Sequence, residues 1–132
     1  MNTLKLPGIN IQWPISQKIV GMEKSVETRT YPIPQKYLNK EVFIIETPGP
    51  KGGFKARVIG TIVFSACFKY KSADDFYSDF DRHLVTRSSP WAWNDSKGKW
   101  GWEISSVTKF ECSELAPYPR GFVFSGEFEI NL

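Results

Sequence analysis

IQWPISQKIVGMEKSVETRTYPIP, residues 11–34, holds the turn from one element to the next on which the fold depends. Pro14 suits the first turn of a helix, and Ile15, Ile19 and Met22 then recur at spacings of four and three, so one apolar face is predicted. Gly21 lies close to the end of that helix. Residues 24–31 follow as a strand until Pro32 and Pro34 break it. Glu27 and Arg29 are two apart and share one face of such a strand. Lys24 sits an odd number of positions from both and faces the other way on a regular strand, but its long stem can reach round from the turn. An acid, an ammonium and a guanidinium thus fall within six residues, and they form the first candidate site.

Working outward, PQKYLN from Pro34 reads as a single helical turn, and EVFIIET, residues 41–47, as a short apolar strand. PGPKGG, residues 48–53, can continue neither a helix nor a strand and so joins a hairpin. The next strand, about 55–68, is long enough to bend, and Gly60 marks the place for a bulge. Ser72-Ala73-Asp74-Asp75 has the form of a capping box, which predicts a helix over 73–83 with Phe76, Phe80 and Leu84 on its buried face. His83 falls at its end. TRSSPWAWNDSKGK, residues 86–99, lacks periodicity and reads as a loop. WGWEISSVTKFE and GFVFSGEFEI then read as two strands separated by a turn at LAPYPRG. Five strands with short helices between them, in a chain too small for a doubly wound sheet, predict a mixed, β-rich fold built on a small barrel.

The order Gln12-Trp13-Pro14, a short helix, a glycine and then Lys-x-x-Glu-x-Arg resembles the opening of ASCH domains, members of the PUA-like group. EVFIIET, RVIGTIVFSA, a helix near a histidine and the Trp-rich segment ending in WGWEI follow in the family's order, so the resemblance spans nearly the whole chain. It implies one domain over residues 1–132, a PUA-like pseudobarrel with short flanking helices, and a cleft beside the barrel that holds Lys24, Glu27 and Arg29. The family usually has one residue between its glycine and its lysine, whereas Met22 and Glu23 both intervene here.

On that resemblance the expected function is binding of RNA or a nucleotide-like ligand, with a modified base as the sharper possibility. Lys24 and Arg29 would hold phosphate or a base carbonyl, and Glu27 would accept from an exocyclic amine. Trp13, Tyr31, Trp91 and Trp93 are the candidate ligand-contacting aromatics. Trp91 and Trp93 stand out because they flank a loop with Pro90, Asn94 and Asp95, where exposed rings are harder to explain by packing. Trp100 and Trp102, two apart on one strand face, read at least equally well as core. Without the resemblance, the charged trio would read as an exposed strand edge whose ion pairs contribute little.

The alternative is an enzyme in the same cleft, a ribonuclease or an amidohydrolase on modified nucleosides such as acetylated cytidine, with Lys24, Glu27 and His83 as its chemical groups. Family amidohydrolases resemble a Lys/Thr/Glu arrangement with the threonine nucleophile three residues after the lysine. That position here is Glu27, and Thr28 beside it would face the other side of a strand. His83, the only histidine, otherwise reads as a structural group at a helix end, where the dipole favours imidazolium.

Composition bounds these readings. The 132 residues suit one domain, and a hydrophobic fraction of 41% is enough for a core. A net charge of +3 fits a phosphate-bearing partner but not a protein that wraps duplex. Lys51, Lys55 and Arg57 offer a dispersed basic rim. Cys67 and Cys112 have no partners at metal-ligand spacing, so no metal or cofactor is expected. Cys67 reads as a reduced, buried residue, with a disulfide to Cys112 left open. No segment has the length of a membrane span or the pattern of a cleaved leader, and a soluble, cytoplasmic protein is expected.

Overall fold

A computed structural model describes residues 2–117 and 123–132. The chain opens with two short strands, β1 (Thr3–Leu6) and β2 (Gly8–Gln12), followed by helix α1 (Ile15–Val20) and strand β3 (Val26–Arg29). A 3-10 turn at Gln35–Tyr37 leads into β4 (Glu41–Thr47) and β5 (Arg57–Lys69). Helices α2 (Ala73–Ser78) and α3 (Phe80–His83), the long β6 (Trp100–Leu115) and β7 (Phe128–Asn131) complete the described elements. Five strands form one sheet in the order β2-β4-β5-β6-β3, and β1 pairs β7 in a second sheet of two.

β4 explains the layering. Its residues are apolar at nearly every position because the strand is buried on both faces. Val42 and Ile44 join Ile9, Ile11, Ile19, Ile62, Phe64 and Trp102 in one core. Phe43 and Ile45 point the other way, to a second core with Val58 that Phe128 and Ile130 of β7 cover. A third cluster, Tyr70, Phe76 and Val85, lies beneath the two helices. Missing from the sequence reading are β1 and β2, although both show the alternation of a strand. Leu4 and Leu6 pack against the second core, and Ile9 and Ile11 are buried in the first.

The main sheet bends but does not close, which corrects the expected barrel. Its end strands, β2 and β3, share no ladder among the described residues. They are only five and four residues long, and the free edge of β2 is occupied by another segment. Asn10 N–H donates to the Val123 carbonyl (2.9 Å), and Ser125 N–H donates to that of Gly8 (2.8 Å). Register shifts interrupt the β5–β6 pairing, one of them between Val58 and Gly60. Gly60 is required there, since a Cβ at this position would lie 2.1 Å from the Thr108 carbonyl oxygen.

Other boundaries differ for local reasons. Met22 lies past the end of α1 with φ of 63° and is 78% exposed, so it does not belong to the apolar face. The predicted helix over 73–83 is two: Ser72 caps the first by accepting from Asp75 N–H (3.1 Å), Asp79 separates them, and Phe80 is exposed. Leu84, at φ of 60°, ends the second. Both cysteines are free thiols, Cys67 half-buried and Cys112 exposed. Most of the LAPYPRG turn and the start of GFVFSGEFEI lie outside the described residues, and the strand there is confined to β7. No described helix is long and apolar enough to cross a membrane.

Gly60→Ala is expected to cost about 1–3 kcal/mol or more, the range for forcing atoms into filled space. Urea denaturation measures it, and an alanine variant as stable as the parent would rule out so close an approach of β5 and β6.

Candidate functional site

β3 lies at one end of the main sheet and, among the described residues, pairs only with β6, placing Glu27 opposite Trp102 and Arg29 opposite Trp100. Its other edge looks across to β2. Into that gap the strand sends Glu27, whose carboxylate is almost wholly buried. Arg29 donates to Glu27 Oε2 through Nε (3.1 Å) and Nη2 (2.8 Å), and Lys24 Nζ stands 3.7 Å from Oε1. Thr28 N–H also donates to Oε1 (3.3 Å). The trio is therefore a buried ion cluster and not an exposed strand edge.

Each cation ties β3 to a neighbour. Arg29 donates to the Asn10 carbonyl of β2 (3.0 Å) and lies over the Trp102 ring at 5.5 Å. Lys24 donates to the His83 carbonyl at the end of α3. Burial pushes the Lys24 ammonium below its ordinary value, partly offset by Glu27. Burial alone would raise Glu27, but the charges of Arg29 and then Lys24, with the hydrogen bonds, outweigh it and hold the carboxyl below the usual range. Glu27 therefore stays ionised.

A cavity of about 210 Å³ opens beside this cluster. Lys24, Glu27, Thr28 and Arg29 line it together with Asn10, Ile11 and Gln12 of β2, Ile15 of α1, Thr47 of β4, Val85 and Trp91. Glu27 and Thr28, expected on opposite faces, both border it. Trp91, from the loop after α3, is 45% exposed and is the one tryptophan in the lining.

The other candidates stand elsewhere. Tyr31 sits just beyond the lining, its hydroxyl 3.5 Å from Arg29 Nη1 and its ring edge-on to Trp102. Trp13 is half-buried against Phe54. Trp93 packs on Phe76 in the third cluster, and its indole N–H donates to Asp95 (2.7 Å). Arg57 is held by Glu46 (2.8 Å), while Lys51 and Lys55 are exposed and outside the lining.

His83 has its ring turned inward, stacked on Phe76. Val85 N–H donates to Nδ1 (2.9 Å), so the proton is on Nε2, which donates to the Phe76 carbonyl (2.6 Å). Both nitrogens are committed to backbone, and only the carbonyl of this residue meets the candidate site. Burial, above all, lowers the imidazole pKa. Sequence reasoning missed the Asn10, Thr47 and Val85 contributions, because β2 pairs in parallel with β4 across some thirty-five positions and no local pattern announces that. It also missed Lys99, a buried lysine whose ammonium is lowered by desolvation and partly restored by the charge of Glu27. Among the described residues no group of three His, Cys, Asp or Glu is placed to hold a metal.

No family model matches the chain, and no curated protein matches its sequence. Solved structures do. ASCH from Zymomonas mobilis superimposes with a TM-score of 0.59 at 18% identity, over 78% of this chain and 68% of that one. Two mutant forms of the same protein give 0.58 and 0.57 at 18% and 17% identity, over 78% and 80% of this chain and 70% of each of theirs. The chain thus has the ASCH fold, the PUA-like β fold that its Gln-Trp-Pro and Lys-x-x-Glu-x-Arg motifs resemble.

Two outcomes follow from the geometry. Glu27→Gln leaves two cations without their counter-charge; breaking a buried pair costs roughly 3–5 kcal/mol, and the partial exposure of Arg29 puts this case at the lower end. A thermal melt unchanged by the substitution would contradict the buried cluster. His83, with its folded pKa below the unfolded value of about 6.5, binds protons more readily in the unfolded chain. Its contribution is complete above that value and declines as pH falls toward the folded pKa. The stability gap between the parent and His83→Gln, measured by urea denaturation, should therefore narrow from pH 7 to pH 5.

Proposed function

We propose that residues 1–132 form one ASCH domain that binds RNA, taking a single nucleotide of an unpaired strand into the cleft between β2, β3 and the loop after α3. The observation that carries this reading is one cavity lined by both a buried cationic cluster and an exposed indole. Counting Lys24 and Arg29 as positive and Glu27 as negative, the cluster has one excess positive charge, which favours an anionic group such as phosphate. Trp91 supplies a flat face for stacking. At about 210 Å³ the cavity is smaller than the roughly 300–1,000 Å³ of sites that enclose drug-sized ligands, so it suits one base and not a longer stretch.

Binding without rapid cleavage fits the chemistry. A ribonuclease needs a base for the ribose hydroxyl and an acid for the leaving oxygen. The His83 ring is committed to backbone and Glu27 to two cations. The place of Thr28 in the same lining as Lys24 favours a second reading, an amidohydrolase with Thr28 as nucleophile and Lys24 as base. Acetylated cytidine separates the two: turnover abolished by Thr28→Val selects the enzyme, and competition with RNA without turnover selects a binder of modified bases.

Titration of a short single-stranded RNA, followed by tryptophan fluorescence, is expected to saturate at low salt. The affinity should fall with salt at a slope of about −0.7 per phosphate contact, hence shallowly. Trp91→Ala should weaken binding by roughly 1–3 kcal/mol without changing that slope. No detectable binding at low salt would remove RNA from consideration.

A further inference from the structure

The cavity divides its polar groups into two sets. Those of the charged cluster are spent on the protein: Glu27 accepts from Arg29 and Thr28 N–H and faces Lys24, Arg29 donates to Glu27 and Asn10, and Lys24 donates to the His83 carbonyl. They set the charge and shape of the cavity but retain little capacity to read a ligand edge. Gln12, Thr28 and Thr47 line the same space, and no side chain of the three hydrogen-bonds another described group. An amide and two hydroxyls are the uncommitted reading groups.

Gln12 is the most specific of these. It is the last residue of β2, paired in register with Thr47 of β4, so its backbone is fixed by the ladder. Its side chain is half-buried and lies against Gly49, in the connection between β4 and β5. A Cβ on Gly49 would fall 2.4 Å from Gln12 Nε2 and 2.9 Å from Cγ, and Gly49 has φ of 66°, a conformation in which glycine avoids strain. The connection is therefore bare of side chain where the amide rests. A carboxamide carries one donor and one acceptor on one edge, which is the pattern that pairs bidentately with a nucleobase having an exocyclic amine beside a ring nitrogen.

We infer that Gln12 is the base-reading residue of the cleft, recognising an amine-bearing nucleobase through its carboxamide while Trp91 covers the base's face and Lys24 and Arg29 attract the phosphate. This rests on the nucleotide reading of the cleft and adds to it the group that chooses among bases. It assigns Glu27 a positioning role, that of holding the two cations, in place of the direct base contact expected from the sequence.

The test uses calorimetric titration of the whole chain with two matched pairs of ligands and one control. AMP is compared with purine riboside 5′-monophosphate, and CMP with 2-pyrimidinone riboside 5′-monophosphate; each pair differs by the exocyclic amine alone. Ribose 5-phosphate reports the anion site without a base. The parent should prefer the amine-bearing member of at least one pair by roughly 5- to 100-fold. Gln12→Leu should abolish that preference and leave ribose 5-phosphate binding unchanged. Gln12→Met, close in size but with neither the donor nor the acceptor of the amide, should also abolish it, which guards against a packing defect in the leucine variant. Discrimination retained in both variants, or absent in the parent while ribose 5-phosphate binds, overturns the role of Gln12 alone. Failure of the parent to bind any of the five ligands overturns the nucleotide reading of the cleft, and this inference with it.

Discussion

Glu27 is a carboxylate with almost no access to water, and it is tolerated there because two cations reach it from opposite sides. Removing such a group from water costs several kcal/mol, which only close opposite charge and hydrogen bonds offset. Satisfying that requirement dictates the surrounding architecture. Arg29 must stand beside Glu27 on the same strand, and its remaining donor finds the Asn10 carbonyl on β2. Lys24 must fold back from the turn after α1, and it finds the His83 carbonyl at the end of α3. One buried acid thus pins β3 to β2 and to the helical layer at the place where the sheet lacks a closing ladder.

A second buried acid fixes the end of β4. Glu46 of β4 is fully buried and accepts from Ser16 (2.6 Å) and Gln17 (2.6 Å) of α1 and from Arg57 of β5 (2.8 Å). Burial would raise its pKa, but these hydrogen bonds and the Arg57 charge hold it below the usual range. It neighbours Thr47 in sequence and so anchors the strand end that Thr47 and Gln12 share. Glu27 and Glu46 are both engaged in holding secondary structure together. Elements held in this way lower the ordering cost of taking up a ligand.

What the sequence made legible follows from which forces act locally. EVFIIET was bounded correctly because burial on both faces leaves an uninterrupted apolar run, and Gly60 marked the register shift because only a residue without a Cβ fits beneath Thr108. The cap at Ser72 was equally local. β1 and β2 were passed over because Pro7 and Gly8 interrupt their alternation into two pieces too short to stand out. Phe80 was placed on a buried face because the 3.6-residue period was carried through Asp79, whose side chain instead pairs with Arg82 and Tyr70. The cleft was half visible. Lys24, Glu27 and Arg29 fall within six residues of sequence, whereas their neighbours Asn10, Gln12 and Thr47 arrive by parallel pairing of β2 with β4, a long-range event with no local signature.

The pair Met22 and Glu23, one residue more than the motif usually has before its lysine, bears on whether Lys24 occupies the motif's place. The chain absorbs the extra length within the turn. Gly21 N–H and Met22 N–H donate back to Gln17 and Ile19, and the N–H groups of both Glu23 and Lys24 converge on the Lys18 carbonyl. Met22 takes the left-handed conformation with its side chain in solvent, so it stands outside the packing of α1 and β3. From Lys24 onward the spacing to Glu27 and Arg29 is that of the motif, and all three reach one cavity. The added length therefore falls in the turn, before the strand that carries Glu27 and Arg29, and Lys24 still lines one cavity with both.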